Sequence, residues 1–381
     1  FGGPIAHLGY FQAKFVDERK WITDKDFSDL VALCQLLPGP TSSQVGYSIG
    51  LLREGFLGGI AALIGFTFPS ILILISFAYG VDFLTDRESL GVMRGLISTS
   101  VAVVSIALFK MVTSVCTTVS HYVIILLSTG LLIFWGSVHG YVLIITLGLV
   151  SGFFLKVPHD DLNREGVRFY LNKIQLISLI VIFLIIFIGL LILPRYFDFT
   201  NWIVYHSLYK TGALVFGGGH VVLPLLKADF VNTGLIDLEQ FIIGYGAAQA
   251  IPGPLFSFAA YLGSLLILPE QYFLQAGLFG FICVFWIYLP TLILLPVALF
   301  FWESLKNQIR LRSYLVGINA AVIGALLHAF IFFLLPYSYS SLIDIGLTIF
   351  GLILLLFFRL QSFSVVIILG FLGWCSTFLL V

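Results

Sequence analysis

Two eleven-residue stretches hold the residues best suited to chemistry. Leu37-Pro38-Gly39-Pro40-Thr41-Ser42-Ser43-Gln44-Val45-Gly46-Tyr47 returns 214 residues later as Ile251-Pro252-Gly253-Pro254-Leu255-Phe256-Ser257-Phe258-Ala259-Ala260-Tyr261. Gln35 and Gln249 precede the first Pro of each copy by three residues, and Tyr47 and Tyr261 follow the last by seven. Proline lacks a backbone donor and clashes with the preceding turn, so neither Pro-Gly-Pro continues a helix. Each break leaves free N–H groups at the start of the next half-helix, equivalent to roughly half a positive charge. The hydroxyls of Ser42, Ser43 and Ser257 and the amides of Gln35 and Gln249 add neutral donors, a set suited to an oxyanion. A pair of packing kinks is the plainer alternative; two copies matched in Gln and Tyr favour a site.

A second matched pair makes four interruptions in all. Phe1-Gly2-Gly3-Pro4 corresponds to Phe216-Gly217-Gly218-Gly219, and Phe15-Val16 to Phe230-Val231, at an offset of 215. Lys210 stands six residues before Phe216 inside the apolar run 202–226. An ionisable residue there is either functional or snorkels to the interface. A divalent oxyanion would bring two negative charges against about +1 from two half-helix ends. Lys210 or a proton is expected to balance the rest. His7, His220 and His328 are the proton-carrier candidates, and His220 is preferred to His328 because the Gly-rich turn brings it near the anion. Lys110 is expected to snorkel, Arg53-Glu54 to form an interfacial ion pair, and Asn319 to bond between helices.

The elements that must position these residues are membrane helices. Of 381 residues 60% are hydrophobic and 10% charged, with a mean hydropathy of +1.08, against about 25% charged in soluble domains. Runs 56–81 and 174–194 exceed the roughly 20 residues a bilayer needs. The reading is an all-α polytopic membrane protein built of two homologous repeats, with broken or re-entrant helices at the Pro-Gly-Pro motifs. Residues 1–155 form the first repeat, which opens without the apolar half-helix that precedes Phe216 in the second. A polar linker follows at 156–173, an additional span and connection at 174–201, and the second repeat at 202–381. One unmatched span inverts the second repeat if each repeat crosses an even number of times. Lys and Arg place the linker and loop 303–312 inside. GxxxG spacings at Gly55/Gly59, Gly136/Gly140 and Gly148/Gly152 allow close helix contact.

Zero formal net charge gives no reason to expect nucleic acid. The four cysteines are scattered, so no metal or disulfide is expected, and no cofactor is implied. Metalloprotease, nucleophile-elbow and phosphate-loop motifs are absent, which points away from an enzyme.

The Phe1-Gly2-Gly3-Pro4, Leu37-to-Gln44, Phe216-to-Leu225 and Gln249-to-Phe256 motifs, in this order, resemble the chromate ion transporter family in its long two-domain form. The resemblance covers the chain in two copies. It implies a multi-pass secondary transporter, an antiporter of the plasma membrane, that carries chromate by proton-coupled efflux and so confers chromate resistance. Sulfate or a related tetrahedral oxyanion is the alternative cargo, and a non-transporting membrane scaffold the alternative outside transport. The expected substrate contacts are the Gln, Pro-Gly-Pro, Ser and Tyr residues named above, with Gly2, Gly3, Gly217, Gly218, Gly219 and Lys210. The expected partners are the oxyanion and the lipid bilayer, and a homodimer is compatible with the reading.

Overall fold

The computed structural model describes residues 3–81, 87–135, 138–155, 169, 171–192, 200–216, 221–267, 273–305 and 308–378, and no strand occurs among them. Gly2, Gly217, Gly218, Gly219 and His220 lie outside the described residues, as does most of the 156–173 linker.

The first repeat opens with α1 (Gly3–Phe11) and a π turn at Gln12–Glu18. Thr23 then caps α2 (Asp24–Leu36), its hydroxyl accepting from the Asp26 N–H. After Pro38-Gly39-Pro40 comes α3 (Thr41–Val81), which kinks at Glu54 and Gly55, the latter at φ +63°. Next are α4 (Arg87–Val115), α5 (Val119–Phe134), α6 (Val138–Phe154) and the single span α7 (Lys173–Ile192). The second repeat has α8 (Thr200–Leu214), α9 (Val222–Phe230) and α10 (Leu238–Ala250). A 3-10 turn at Leu255–Ser257 leads into α11 (Phe258–Leu265), then α12 (Phe273–Leu305) and α13 (Ile309–Ala329). A second π turn (Phe330–Leu334) joins α13 to the short α14 (Leu335–Ser338), followed by α15 (Leu342–Leu356) and α16 (Ser362–Ser376).

Among the described residues, five helices are long and apolar enough to cross a membrane by length and composition. Only 6% of the apolar window of α7 is buried, and Ile177, Ile185 and Ile188 on it are exposed. A helix apolar all round yet exposed is one whose solvent is lipid.

The chain turns back on itself at each Pro-Gly-Pro. Cys34 before the first break reaches Ser48 beyond it, Sγ to Oγ 3.9 Å. Beyond the second break the Tyr261 ring covers the bare α-carbon of Gly244, and its hydroxyl donates to the Gln240 carbonyl at 2.9 Å. Helices α8 and α9 fold back likewise, with Lys210 against Asp229. In α3 the arm before the kink lies on the arm after it, Gly50 against Gly58 with no room for a Cβ.

Small residues set the crossings farther out. Gly91 and Gly95 of α4 lie on Gly373 and Leu369 of α16, while Ser313 and Gly317 of α13 lie on Gly152 and Gly148 of α6. Without a hydrophobic force between helices in lipid, such backbone approach supplies the packing energy. The two crossings are repeat mates, related by an offset of 221 or 222, and each joins one repeat to the other. The offset exceeds 214 because the second copy has more residues where the first turns tightly at Gly55. Gly148/Gly152 therefore makes the close contact expected of it. Gly91/Gly95, an equal signal in the sequence, does so too.

Candidate site at the Pro-Gly-Pro turns

Each Pro-Gly-Pro turn needs its glycine. Gly39 has φ +127° and Gly253 φ +145°, backbone that L residues rarely adopt. Each turn also lies against the long helix of the opposite repeat. A Cβ on Gly39 would stand 2.6 Å from Thr291 Oγ1 of α12, and one on Gly253 would stand 2.5 Å from Ser70 Oγ of α3. Thr291 follows Pro290 and Ser70 follows Pro69, so the two contacts are mates.

At the first turn the Gly39 N–H donates to the Val215 carbonyl at 2.7 Å. Val215 immediately precedes Phe216, so the tip of one hairpin touches the tip of the other. Gln44 Nε2 donates to the Pro38 carbonyl at 2.6 Å, while Gln44 Oε1 is buried without a partner among the described residues, as is Thr291 Oγ1. Both side chains lie over the bare α-carbon of Gly39. His7 Nδ1 is 3.4 Å from Ser42 Oγ, and its ring meets Phe66 edge-on at 5.0 Å. At the second turn the Ser257 and Ser70 hydroxyls are 2.7 Å apart.

Tyr288 joins the two turns. Its hydroxyl is 3.1 Å from Ser43 Oγ, and its ring is 5.5 Å from that of Phe256 beside the second turn. Ser42, Ser43, Ser257, Gly39, Pro40 and Pro254 are buried, and Pro38, Pro252 and Gly253 half-buried. The result is a buried enclosure of hydroxyls, amides and helix starts, in which a polar ligand could meet the atoms of Gln44 and Thr291 that have no partner among the described residues.

The matched tyrosines differ in role. Pro296 removes the N–H that would bond the Leu292 carbonyl, and the Tyr47 hydroxyl donates to that carbonyl at 3.3 Å. The first repeat carries Ile75 where the second has Pro296, and the Tyr261 hydroxyl bonds within its own hairpin while its ring lies 5.9 Å from that of Phe77 of α3. Both hydroxyls donate to backbone carbonyls. The matched glutamines differ too: Gln35 is exposed, whereas Gln249 is half-buried with its Nε2 unpartnered among the described residues. Gly3 starts α1, four residues before His7.

Lys210 is not a free cation. Its Nζ lies 2.7 Å from both carboxylate oxygens of Asp229, with the side chains 14% and 5% exposed. Asp229 was missed in the sequence, although a carboxylate in the apolar run Leu223-to-Val231 was a visible signal. His328 lies outside the enclosure, packed on Phe332 and Phe333. Arg53 lies over the Trp21 ring at 5.0 Å, with no ion pair to Glu54 among the described residues. Asn319 Oδ1 is buried with no partner there, so the expected bond between helices is not made through that atom. Lys110 is exposed. No group of three or more candidate metal ligands occurs among the described residues.

The sequence profile of the family described as chromate transporter matches residues 1–153 and 202–374. A chromate transport protein of Pseudomonas aeruginosa is 25% identical over 338 residues, covering 85% of this chain and 75% of that protein. Another, of Cupriavidus metallidurans, is 24% identical over 359 residues, covering 93% and 82%. An uncharacterized transporter of Methanocaldococcus jannaschii is 25% identical over 383 residues, covering 97% and 89%. No solved structure matches.

Proposed function

Because the chain belongs to the chromate transporter family, we propose that it is a secondary transporter which moves chromate across the plasma membrane, binding the anion where the two Pro-Gly-Pro turns close on Tyr288. The observation that carries this reading is the junction itself. Gly39 bonds to Val215, Ser43 and Phe256 share Tyr288, and buried polar atoms of Gln44 and Thr291 have no partner among the described residues.

Charge decides what travels with the anion. Chromate carries two negative charges, and two half-helix starts return about +1. Asp229 cancels Lys210, so a proton balances the remaining charge. Of the histidines with described side chains, His7 is the one against a turn serine, and we assign it the proton. Transport is therefore proton-coupled, and with efflux as the net direction it confers chromate resistance.

The repeats are inverted in this reading. Five passes separate the first hairpins from the second: the later arm of α3, then α4, α5, α6 and α7. An odd number delivers the second set from the opposite face. The crossings of α4 with α16 and of α6 with α13 agree with that alternation. Lys14, Arg19, Lys20 and Arg53 then share a face with Lys173, Arg310 and Arg359, which is the cytoplasmic face. Asp17 and Asn232 are repeat mates at exposed positions. In a chain lacking its four native cysteines, Asp17→Cys and Asn232→Cys are expected to react with an impermeant thiol reagent from opposite sides. Labelling from one side would rule out the inversion.

The function itself is tested by flux of radiolabelled chromate and sulfate in proteoliposomes, with and without an imposed pH gradient. Chromate flux accelerated by the gradient is expected. Sulfate flux exceeding chromate flux would reassign the cargo, and no flux of either would leave the scaffold reading.

A further inference from the structure

Away from the Pro-Gly-Pro turns, α9 and α13 bring together two buried polar side chains, Lys227 and His328, that are unbalanced among the described residues. Lys227, in the last turn of α9, is 8% exposed, and its Nζ lies 3.2 Å from the centroid of the Phe333 ring. No carboxylate among the described residues is within ion-pair distance of it, and Asp229, two residues on, is engaged by Lys210. His328 is 6% exposed, its Nδ1 is buried without a partner among the described residues, and its ring stands 5.3 Å from the same Phe333. Phe333 belongs to the π turn Phe330–Leu334, and such turns recur at functional sites.

A buried ammonium is costly unless an anion or an acceptor meets it. The face of Phe333 offsets part of that cost. The fold does not demand this arrangement, because the repeat mates Gln12, Ile106 and Met111 are all neutral. Gln12 instead donates to Asp24 at 2.8 Å. Snorkelling does not describe Lys227 either: Lys110, at the end of its helix, is exposed, whereas Lys227 is covered. Helix α9 runs from Val222 out to the exposed turn at Asn232 and Thr233. Lys227 stands four residues short of Val231, about 6 Å along a helix.

We infer that Lys227 and His328 form a second anion position, which holds a tetrahedral oxyanion between the surface turn at residues 231–236 and the central Pro-Gly-Pro turns. This rests on the reading of the chain as an oxyanion carrier. One ammonium, one imidazole and an aromatic wall give an attractive site with few donors, which suits an ion that must enter and leave again. The phosphate of a lipid headgroup has the same chemistry, so the test must separate the two sources.

Sulfate is the probe, titrated into the purified full chain in neutral detergent and in bilayer discs with and without phosphatidylglycerol. The wild-type chain is expected to bind in two components. Lys227→Met should weaken one by about 10–100-fold, the loss expected for a charged hydrogen bond, and leave the other in place. Lys227→Arg should keep both, and His328→Gln should weaken the same component less. Phosphatidylglycerol should displace neither. Without sulfate, Lys227→Met should melt no lower than wild type, since it removes an unpaired charge. Two components unchanged in Lys227→Met, or a single component in both proteins, would overturn the inference. So would a markedly lower melting temperature, or displacement by phosphatidylglycerol. If the wild-type chain bound no sulfate or chromate at all, the oxyanion-carrier reading would fail with it. A failure confined to the Lys227 component would leave that reading intact.

Discussion

Asp229→Asn is expected to cost the folded protein about 3–5 kcal/mol, because it leaves the Lys210 ammonium buried without a counter-charge. The side chains are 14% and 5% exposed, so water screens the pair little. Lys210→Gln alone should cost a similar amount by stranding the carboxylate. The double variant Lys210→Gln/Asp229→Asn should regain most of the loss, since a neutral hydrogen-bonding pair of similar volume replaces two costly ions. Thermal melting in detergent reads all three. Flux then separates two roles for Lys210. If the pair only locks α8 onto α9, the double variant regains chromate transport together with its fold. If the Lys210 ammonium meets the anion during the cycle, the double variant folds and still fails to transport. A single Asp229→Asn variant that melted like wild type would show that the pair is not the buried couple described here.

That pairing also shows where the sequence stops being informative. The Pro-Gly-Pro turns were legible because what they need is local: proline ends the helix and glycine alone tolerates the positive φ that follows. The repeats and the helical class were legible from matched motifs and hydropathy for the same reason. The partners that complete the site are not local. Ser43 meets Tyr288 and Gly39 meets Thr291 across more than 240 residues, and nothing in either stretch names the other. A symmetry argument would have found them, because Pro69-Ser70 and Pro290-Thr291 stand in equivalent places on the two long helices. Pro296 is a further missed signal. A proline in a long apolar helix leaves a carbonyl for another donor, and Tyr47 is that donor. At Arg53-Glu54-Gly55 adjacent opposite charges suggested an ion pair, but the glycine carries the kink and Arg53 is free to lie on Trp21.

The largest effect on function is expected at the two glycines of the turns. Gly253→Ala places a Cβ 2.6 Å from Ser70 Cβ and 2.5 Å from its Oγ, at a φ of +145°. Ser70 Cβ is fixed to the α3 backbone and can yield only if that helix shifts. Backbone strain of about 1–3 kcal/mol adds to overpacking of similar size. Gly39→Ala meets the ends of Gln44 and Thr291 instead, at 2.5 and 2.6 Å. Those ends can rotate away, but Gln44 then gives up the Pro38 carbonyl, and both polar groups leave the position proposed for the anion. Gly253→Ala should therefore cost more stability, and Gly39→Ala more anion binding relative to its stability loss. For Gly39→Ala the expected result is retained helical content, a modestly lower melting temperature and chromate flux reduced at least tenfold. The rise in melting temperature that chromate gives the wild-type chain should disappear as well. A membrane scaffold without a transport site makes the opposite forecast, in which both alanine variants lose stability and any flux per folded molecule stays unchanged. Measuring flux against the folded fraction for each variant separates the two. Unchanged flux per folded Gly39→Ala molecule would remove the Pro-Gly-Pro junction as the anion site.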